Sequence, residues 1–492
     1  MSRKQSLNAP YDAPSYDLKH EHRPVRRCRC NCNPKCNCRC TCACPDHCLC
    51  IDPCDSTCGT HTSRNLIVSI DGTSNQFGDH NTNVVELHSR ILVDPTAEQR
   101  TYYNCGIGTY VPNRAKTFKY WRQRFDNVVD LAIAWNFQSI VIKAYRWLCD
   151  EYRPGDKIFL FGFSRGAYQV RTLAGMVEKV GLVNAGNQEL IPLYVQQACY
   201  ENNDEAPILA PRFKETFARS VKIHFVGAWD TVSSVGLIRQ KPLPLTSSAE
   251  HICIFRHALA LDERRVKFLP EYVDGGNSNS SPENGLARNA SMMIGRVTNT
   301  KEVWFAGTHS DIGGGLKNNL DLNLSSVPLL WMENEAASAG LRLRPRKTGG
   351  AWNWKDLRND KTHESLTVLW RPVELLPVKR LSFKDAIDVT HAPHLGSGRI
   401  ITPGQRIHAS VAFKNPEYHP RATFRGGGGI PWPSFVGKDL DGDFEWTNDW
   451  RDLLEMDLFD ASFTVEAVQN LKSVWEQGED SENSEAYWIK RL

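Results

Sequence analysis

The chain of 492 residues carries 59 Lys and Arg against 56 Asp and Glu, a formal net charge of +3, with 41% hydrophobic and 23% charged residues. This composition is typical of a soluble globular protein and excludes a disordered or fibrous chain. The net charge is too small to indicate a nucleic-acid or membrane partner by itself, and the length predicts one large domain with insertions or two domains.

The first segment in chain order, residues 1–62, is rich in Pro, Cys and Arg and has almost no aliphatic side chains. Such a segment cannot bury enough apolar surface to fold by itself, so we predict a disordered extension. It lacks the apolar stretch of a secretory signal, and no window of about 18 apolar residues occurs in the chain, so no transmembrane helix is predicted. We therefore expect a cytoplasmic protein, with peripheral contact to a membrane left open.

Twelve of the 16 cysteines lie between Cys28 and Cys58, many of them in Cys-x-Cys spacing. Disulfides do not persist in a reducing compartment, so this density favours a thiolate cluster of Cu(I) or Zn of the metallothionein kind. Free, acylated or randomly oxidised thiols are the alternatives. The candidate metal ligands are Cys28, Cys30, Cys32, Cys36, Cys38, Cys40, Cys42, Cys44, Cys48 and Cys50.

Strand and helix patterns then alternate along the chain. The strand patterns are LIVSID directly after Asn65, residues 158–161, residues 221–230, and residues 301–315, where the strand runs into a glycine loop. One helix pattern follows residues 81–82, a second runs roughly over 127–152, and a third follows GFSRG and ends near Gly181. Asn81 or Thr82 is the expected cap of the first helix, whose apolar face carries Val84, Val85 and Leu87. This alternation predicts an α/β fold, an α/β-hydrolase-like, mostly parallel sheet with helices on both faces.

The predicted catalytic domain spans residues 63–345. The alternating pattern fades beyond it, and residues 346–436, rich in Trp, Pro, His and Gly, predict an irregular accessory region that continues the hydrolase domain. Residues 437–492 form an acidic segment with 5 Lys and Arg against 15 Asp and Glu.

Gly-Phe-Ser-Arg-Gly, residues 162–166, follows the second strand pattern and opens a helix. Gly-x-Ser-x-Gly in this context is the nucleophile elbow, in which a strained turn exposes the serine hydroxyl beside a helix N-terminus. Two glycines that merely allow close packing of strand and helix are the structural alternative. The pattern makes Ser164 a candidate nucleophile.

A serine nucleophile needs a base, and the base needs an orienting acid, which in this fold follow in the order acid, then histidine. Asp230 and His309 each follow a strand pattern, where catalytic groups of parallel sheets gather. Asp311 either orients His309 or caps the next turn, and His408 is a candidate for lining the site. His257, in a stretch predicted to be helical, is expected to be structural.

Six segments in order make a resemblance specific: IDGTSNQFGDHNTNV, YYNCGIGT, GFSRGAYQVRTLAG, FVGAWDTVSSVG, RHALALDERRVKF and EVWFAGTHSDIGGG. Together they resemble the catalytic domain of the type VI secretion phospholipase effectors, an α/β-hydrolase family with many bacterial and fungal members of unassigned function. Residues 399–411, RIITPGQRIHASV, resemble a downstream segment of the fungal members.

The resemblance implies that Ser164 is the nucleophile, Asp230 the acid and His309 the base. It also implies that Asp71, Gly72 and Thr73 form a loop beside the nucleophile. A backbone N–H of that loop is expected to complete the oxyanion hole with the N–H of Arg165. The list of expected site residues is therefore Ser164, Asp230, His309, Asp71, Gly72, Thr73 and Arg165, with Asp311 and His408 as lining candidates.

The predicted function is serine hydrolysis of carboxylic esters, with phospholipids or related lipids as the substrate class that the resemblance implies. The chemistry needs no cofactor, and no nucleic-acid partner is expected. The alternative is a metal-binding or scaffold protein with a vestigial hydrolase domain, which rests on the cysteine cluster.

Overall fold

The computed structural model describes most of the chain between Ser63 and Arg425, together with a short C-terminal strand. The described residues are 63–72, 78, 80–94, 98–106, 125–191, 206–232, 249, 251–273, 299–317, 322–345, 354–368, 370–383, 388–411, 414–415, 417–425 and 462–464. The predicted cysteine ligands and the extension at residues 1–62 lie outside these residues, and so does Thr73.

The strands are β1 (Asn65–Ile70), β2 (Gln99–Asn104), β3 (Lys157–Phe163), β4 (Leu182–Val183), β5 (Ala218–Arg219), β6 (Ile223–Trp229), β7 (Ile252–Ala260), β8 (Asn299–Phe305), β9 (Arg380–Ser382), β10 (Asp388–Thr390), β11 (Ile400–Ile401), β12 (Arg406–His408), β13 (Thr423–Phe424) and β14 (Ser462–Thr464). The helices are α1 (Asn83–Arg90), α2 (Phe125–Glu151), α3 (Arg165–Val180), α4 (Ala206–Phe217), α5 (His309–Gly313), α6 (Ser326–Ser338), α7 (Trp354–Asn359) and α8 (Arg371–Glu374).

One sheet organises the molecule, with the strand order β14-β12-β8-β7-β6-β3-β1-β2. The neighbours from β12 to β2 pair in parallel, and β14 adds to the edge antiparallel to β12. The predicted α/β fold with a mostly parallel sheet is confirmed. The last strands come from residues 406–408 and 462–464, so segments beyond residue 345 extend the sheet.

Helices cover both faces of the sheet. Alternate residues of each strand point to opposite faces, so β1 contributes side chains to two buried clusters. On β1, Leu66, Val68 and Ile70 belong to a buried cluster that includes α2 and α3 residues. Ile67 belongs to a second cluster that includes α1 and α6 residues. α1 begins after Thr82, whose hydroxyl accepts a hydrogen bond from the Val85 N–H as a helix N-cap.

The prediction of a helix around His257 is wrong, because residues 252–260 form β7. Ala and Leu at 258–261 favour a helix locally, but β7 pairs with β6 on one side and β8 on the other. Hydrogen bonds to two strands outweigh a weak local propensity. Strand β2, for which the sequence showed no strand pattern, lies at the sheet edge with only Gln99 buried.

Candidate active site

Ser164 lies between β3 and α3, at a left-handed backbone angle of φ 59°. A non-glycine residue at positive φ is strained and needs support from its surroundings. A Cβ on Gly162 would lie 2.5 Å from the Gly166 carbonyl oxygen, and one on Gly166 would lie 2.2 Å from the Ile70 carbonyl oxygen. Backbone therefore crowds both glycine positions, and the turn forms only without side chains there.

The structure brings Ser164, His309 and Asp230 into one hydrogen-bonded chain. The Ser164 Oγ is 2.8 Å from His309 Nε2, and His309 Nδ1 is 2.5 Å from Asp230 Oδ2. An ionised carboxylate only accepts, so Nδ1 carries the ring proton and Nε2 is left to accept from the serine hydroxyl. The three residues follow β3, β6 and β8 at the carboxyl edge of the sheet, where sites of parallel sheets form.

Aromatic rings enclose the His309 imidazole on two sides. The Phe163 ring centroid lies 4.7 Å from that of His309, and the Phe268 centroid lies 4.9 Å away in an edge-on arrangement. The His309 backbone N–H donates to Glu263 at 3.3 Å. Ser164 and His309 are only 7% and 4% exposed, so their hydrogen bond is shielded from competing water.

The Asp230 carboxylate is fully buried and carries more partners than His309 alone. Arg399 donates from Nη1 to Oδ1 at 2.6 Å and from Nη2 to Oδ2 at 2.9 Å, and the Ala260 N–H donates to Oδ1 at 3.1 Å. Burial opposes ionisation of this carboxyl, but Arg399 and His309 outweigh it and hold the pKa of Asp230 well below its ordinary value. The Asp230 carboxylate is therefore charged over the pH range in which most enzymes work.

The backbone that follows Asp230 is held by a buried histidine. The Thr231 N–H donates to His257 Nε2 at 3.0 Å, and His257 Nδ1 is 2.9 Å from Glu302 Oε1. Burial lowers the pKa of His257, so the neutral ring fits its role as acceptor from Thr231. His257 is thus a structural support of the Asp230 turn.

The loop after β1 lies directly against the turn that carries Ser164. A Cβ on Gly166 would lie 2.4 Å from the Asp71 carbonyl oxygen as well, and Asp71 accepts hydrogen bonds from Thr82 and Tyr103. The Gly72 N–H donates to Asp71 Oδ1 at 2.6 Å. This loop and the Arg165 N–H at the first turn of α3 flank Ser164, whereas Thr73 lies outside the described residues.

Asp311 and His408, the two predicted lining residues, contact residues other than Ser164, His309 and Asp230. Asp311 Oδ2 accepts from the Thr308 N–H at 2.8 Å, which caps α5, and Asp311 Oδ1 is 2.5 Å from His363 Nδ1. The buried His408 ring stacks on Phe305 with centroids 4.7 Å apart. Of the two alternatives for Asp311, the structure shows the cap.

Arg399 and Glu263 contact Asp230 and the His309 backbone, respectively, and neither contact was predicted from the sequence. Glu263 accepts from the Arg265 side chain, and its pKa is lowered to about 2 because Arg265 outweighs burial. The resemblance marked residues 399–411 but gave no role to Arg399. Its partner Asp230 lies 169 positions earlier, a separation at which no local pattern forms a signal.

The described residues hold neither a candidate metal site nor a membrane-spanning helix. Among the described residues, no group of three or more His, Cys, Asp and Glu side chains is arranged to hold a metal ion. Over the same part of the chain, no helix has both the length and the apolar character needed to cross a bilayer.

Residues 64–335 match the family described as T6SS, phospholipase effector Tle1-like, catalytic domain. The chain is also 36% identical over 227 residues to YEL023C, an uncharacterized protein of Saccharomyces cerevisiae. That alignment covers 42% of this chain and 33% of the yeast protein, so the chain spans about a third of the length of this curated relative.

Two solved structures show lower similarity. A crystal structure of an uncharacterized protein from Pseudomonas aeruginosa has 16% identity and a TM-score of 0.30, covering 57% of this chain and 46% of that chain. The structure of the Tle1 effector bound to the VgrG spike from the type 6 secretion system has 17% identity and a TM-score of 0.28. It covers 52% of this chain and 51% of that chain.

Proposed function

The chain belongs to the Tle1-like phospholipase effector catalytic domain family, and from that premise we propose that it is a serine hydrolase of carboxylic esters. The proposed substrates are phospholipids or related lipids, cleaved in the manner of a phospholipase A or an esterase. The observation that carries the proposal is the hydrogen-bonded chain from Ser164 through His309 to Asp230, with Ser164 on a strained turn.

In the proposed first half-reaction, Ser164 Oγ attacks the ester carbonyl carbon while its proton passes to His309 Nε2. The imidazolium is stabilised by the Asp230 carboxylate on Nδ1. The tetrahedral intermediate collapses when Nε2 gives the proton to the departing alcohol, and an acyl-enzyme on Ser164 remains. Water then adds to the acyl carbon with Nε2 as base, and the acid leaves as Ser164 regains its proton.

The oxyanion of each intermediate needs two donors near Ser164 Oγ. The Arg165 N–H lies in the first turn of α3, where amides lack partners within the helix, and is the first proposed donor. The second is proposed to come from the loop Asp71–Thr73. Since Gly72 N–H is engaged by Asp71, Thr73 is the better candidate in that loop.

This chemistry requires no cofactor, and the proposed partners are a lipid or another ester substrate. A lipid substrate implies peripheral contact with a membrane surface. The location remains proposed as cytoplasmic.

The test is to compare the wild-type chain with Ser164→Ala. We expect hydrolysis of a short chromogenic acyl ester and labelling by a fluorophosphonate to be lost, because both need the Ser164 hydroxyl. Ser89→Ala is the matched control, since the Ser89 hydroxyl is exposed and donates to the Glu86 carbonyl of its own helix. Unchanged turnover in folded Ser164→Ala would remove the proposal, and lipid-class profiling with the same proteins would identify the ester.

A metal-binding or scaffold function is the second candidate, favoured by the 12 cysteines between Cys28 and Cys58. It predicts Cu(I) or Zn bound to the full chain under reducing conditions and released when those thiols are alkylated. A purified chain that elutes without either metal after loading would contradict it.

A further inference from the structure

We propose that Arg399 is the positioning residue of the Asp230–His309 pair, an inference that rests on the proposed function. Its guanidinium fixes the Asp230 carboxylate in the orientation that presents Oδ2 to His309, and its charge balances that carboxylate. Arg399 lies 64 residues beyond the end of the family match at residue 335, in the segment that sequence reasoning treated as accessory.

The contacts of Arg399 fix both the guanidinium and the carboxylate. Nη1 and Nη2 each contact a different oxygen of Asp230, in the two-pronged geometry that a guanidinium forms with a carboxylate. The same nitrogens donate to the Ala260 and Phe268 carbonyls, at 3.2 and 2.5 Å. The two carbonyls fix the plane of the guanidinium, and the guanidinium in turn fixes the orientation of the Asp230 carboxylate. In that orientation Oδ2 also contacts His309 Nδ1.

The backbone around Arg399 is held against the strand ends of the main sheet. A Cβ on Gly398 would lie 1.8 Å from the Arg421 carbonyl oxygen, so the turn before Arg399 packs directly on the segment that carries β13. β11 and β13 pair in parallel, and the Ala422 N–H donates to the Leu261 carbonyl at 2.8 Å. These contacts place Arg399 beside the carboxyl ends of β6 and β7.

The positive charge of Arg399 affects both Asp230 and His309. Burial of an unpaired carboxylate is costly, and both Asp230 and Arg399 are buried. Arg399 also opposes the positive charge that His309 gains during the reaction, so its removal should make His309 a stronger base. Among the described residues, the titratable and charged groups near this pair and its neighbours include Glu263, Tyr272, His257, Glu302, Arg265 and Arg171, and the test leaves them unchanged.

Loss of Arg399 should change the pH at which the Asp230–His309 pair is protonated. His309 must be neutral to accept the Ser164 proton, so the acid limb of kcat/KM reports the protonation of the Asp230–His309 pair. Without Arg399, the negative charge of Asp230 acts on His309 alone. The Asp230–His309 pair should therefore keep its proton to a higher pH. We expect Arg399→Met to move the acid limb upward by about one pH unit and to lower kcat/KM about 100-fold at neutral pH, with KM little changed.

Two companion variants separate charge from orientation. Arg399→Lys keeps the charge but cannot form the two-pronged contact, so its acid limb should stay near that of wild type while kcat falls about tenfold. Arg399→Met added to Asp230→Asn should cost less than about threefold more in kcat/KM than Asp230→Asn alone, because Arg399 then has no carboxylate to position. A full further loss in the double variant would overturn the inference.

Arg256→Met is the matched control for loss of a buried arginine. Arg256 pairs with the buried Glu335 and donates to the carbonyls of Phe255 and Asn299, a partner set like that of Arg399. We expect it to lower the urea midpoint of unfolding while the acid limb stays in place. An equal shift of the acid limb in Arg256→Met would overturn a specific role for Arg399.

Ser164→Ala in the same assay distinguishes the two possible failures. Turnover that survives Ser164→Ala removes the proposed function. Turnover that depends on Ser164 but keeps its full rate and pH profile in folded Arg399→Met overturns only the role of Arg399. If Arg399→Met does not fold, the Arg399→Lys variant and the double variant with Asp230→Asn decide the question.

Discussion

The part of the chain matched by the family, residues 64–335, and the part from residue 354 to residue 425 both contribute to the surroundings of the Asp230 carboxylate. The first part supplies Ser164, Asp230 and His309 from the ends of β3, β6 and β8. The second part supplies Arg399, which contacts both oxygens of Asp230. The difference lies in how each region positions its residues.

In the first region, the backbone of Ser164, Asp230 and His309 is positioned by the strand or helix next to each residue in sequence. In the second, Arg399 is positioned by contacts with distant segments, through the Phe268 carbonyl and the pairing of β11 with β13. The comparison teaches that a segment without long elements can be as closely fitted to a site as the sheet itself.

The largest effect in this set is expected from the described glycines at which each region packs most closely against backbone atoms. Gly166→Ala places a Cβ 2.2 Å from the Ile70 carbonyl oxygen, and Gly398→Ala places one 1.8 Å from the Arg421 carbonyl oxygen. Backbone atoms cannot move aside as a flexible side chain can. We expect each variant to lower the free energy of unfolding by about 3 kcal/mol or more in urea titrations.

Gly78→Ala is the control for this pair, since no atom of the described residues lies within 4 Å of the added Cβ. We expect it to change the free energy of unfolding by less than 1 kcal/mol. If Gly398→Ala also behaved like Gly78→Ala, the second region would be loosely attached, and the proposed equivalence of the two regions would be wrong.

The site residues of the first region could be predicted from the sequence, whereas Arg399 in the second region could not, and the reason is physical. Ser164, Asp230 and His309 each follow an apolar strand pattern, and Gly162 and Gly166 are needed within two residues of Ser164, so the signals are local. Arg399 has no such local signal. The hydrogen bonds of β7 to both neighbours likewise overrode a helical propensity, because tertiary pairing is not visible in a short window.

A smaller effect is expected at Asp262, where the two regions share a buried carboxyl. Asp262 follows β7 and accepts from the Gly307 N–H, the Tyr418 hydroxyl and the Arg421 N–H. Burial raises its pKa from 3.8 to about 6. The folded state therefore binds a proton between about pH 4 and 6 that the unfolded chain has released, so this group stabilises the fold less as pH rises.

Comparison of wild type with Asp262→Asn isolates this contribution. We expect the free energy of unfolding of wild type to fall relative to the variant by up to about 3 kcal/mol between pH 4 and 7. The measurement is a series of urea titrations across that range. A difference between the two proteins that is constant with pH would show that Asp262 is ionised throughout, and that the contact between the regions is not pH-dependent.

The smallest effect is expected at the surface of the same boundary. Lys317, after α5, forms an ion pair with Asp360, after α7, and the Lys317 side chain is 40% exposed. An exposed pair gains little, because water and salt screen it and an ordered lysine loses side-chain entropy. We expect Lys317→Ala to lower the free energy of unfolding by about 0.5 kcal/mol, less at high salt, and to leave kcat unchanged.

Asp360→Ala should lower the free energy of unfolding more, by about 1–2 kcal/mol, because the Asp360 carboxylate also accepts a hydrogen bond from the Leu324 N–H at 3.2 Å. If the lysine variant cost as much as the aspartate variant, surface charge rather than buried contact would hold the two regions together, and the fit argued from Arg399 would not extend to the rest of the boundary.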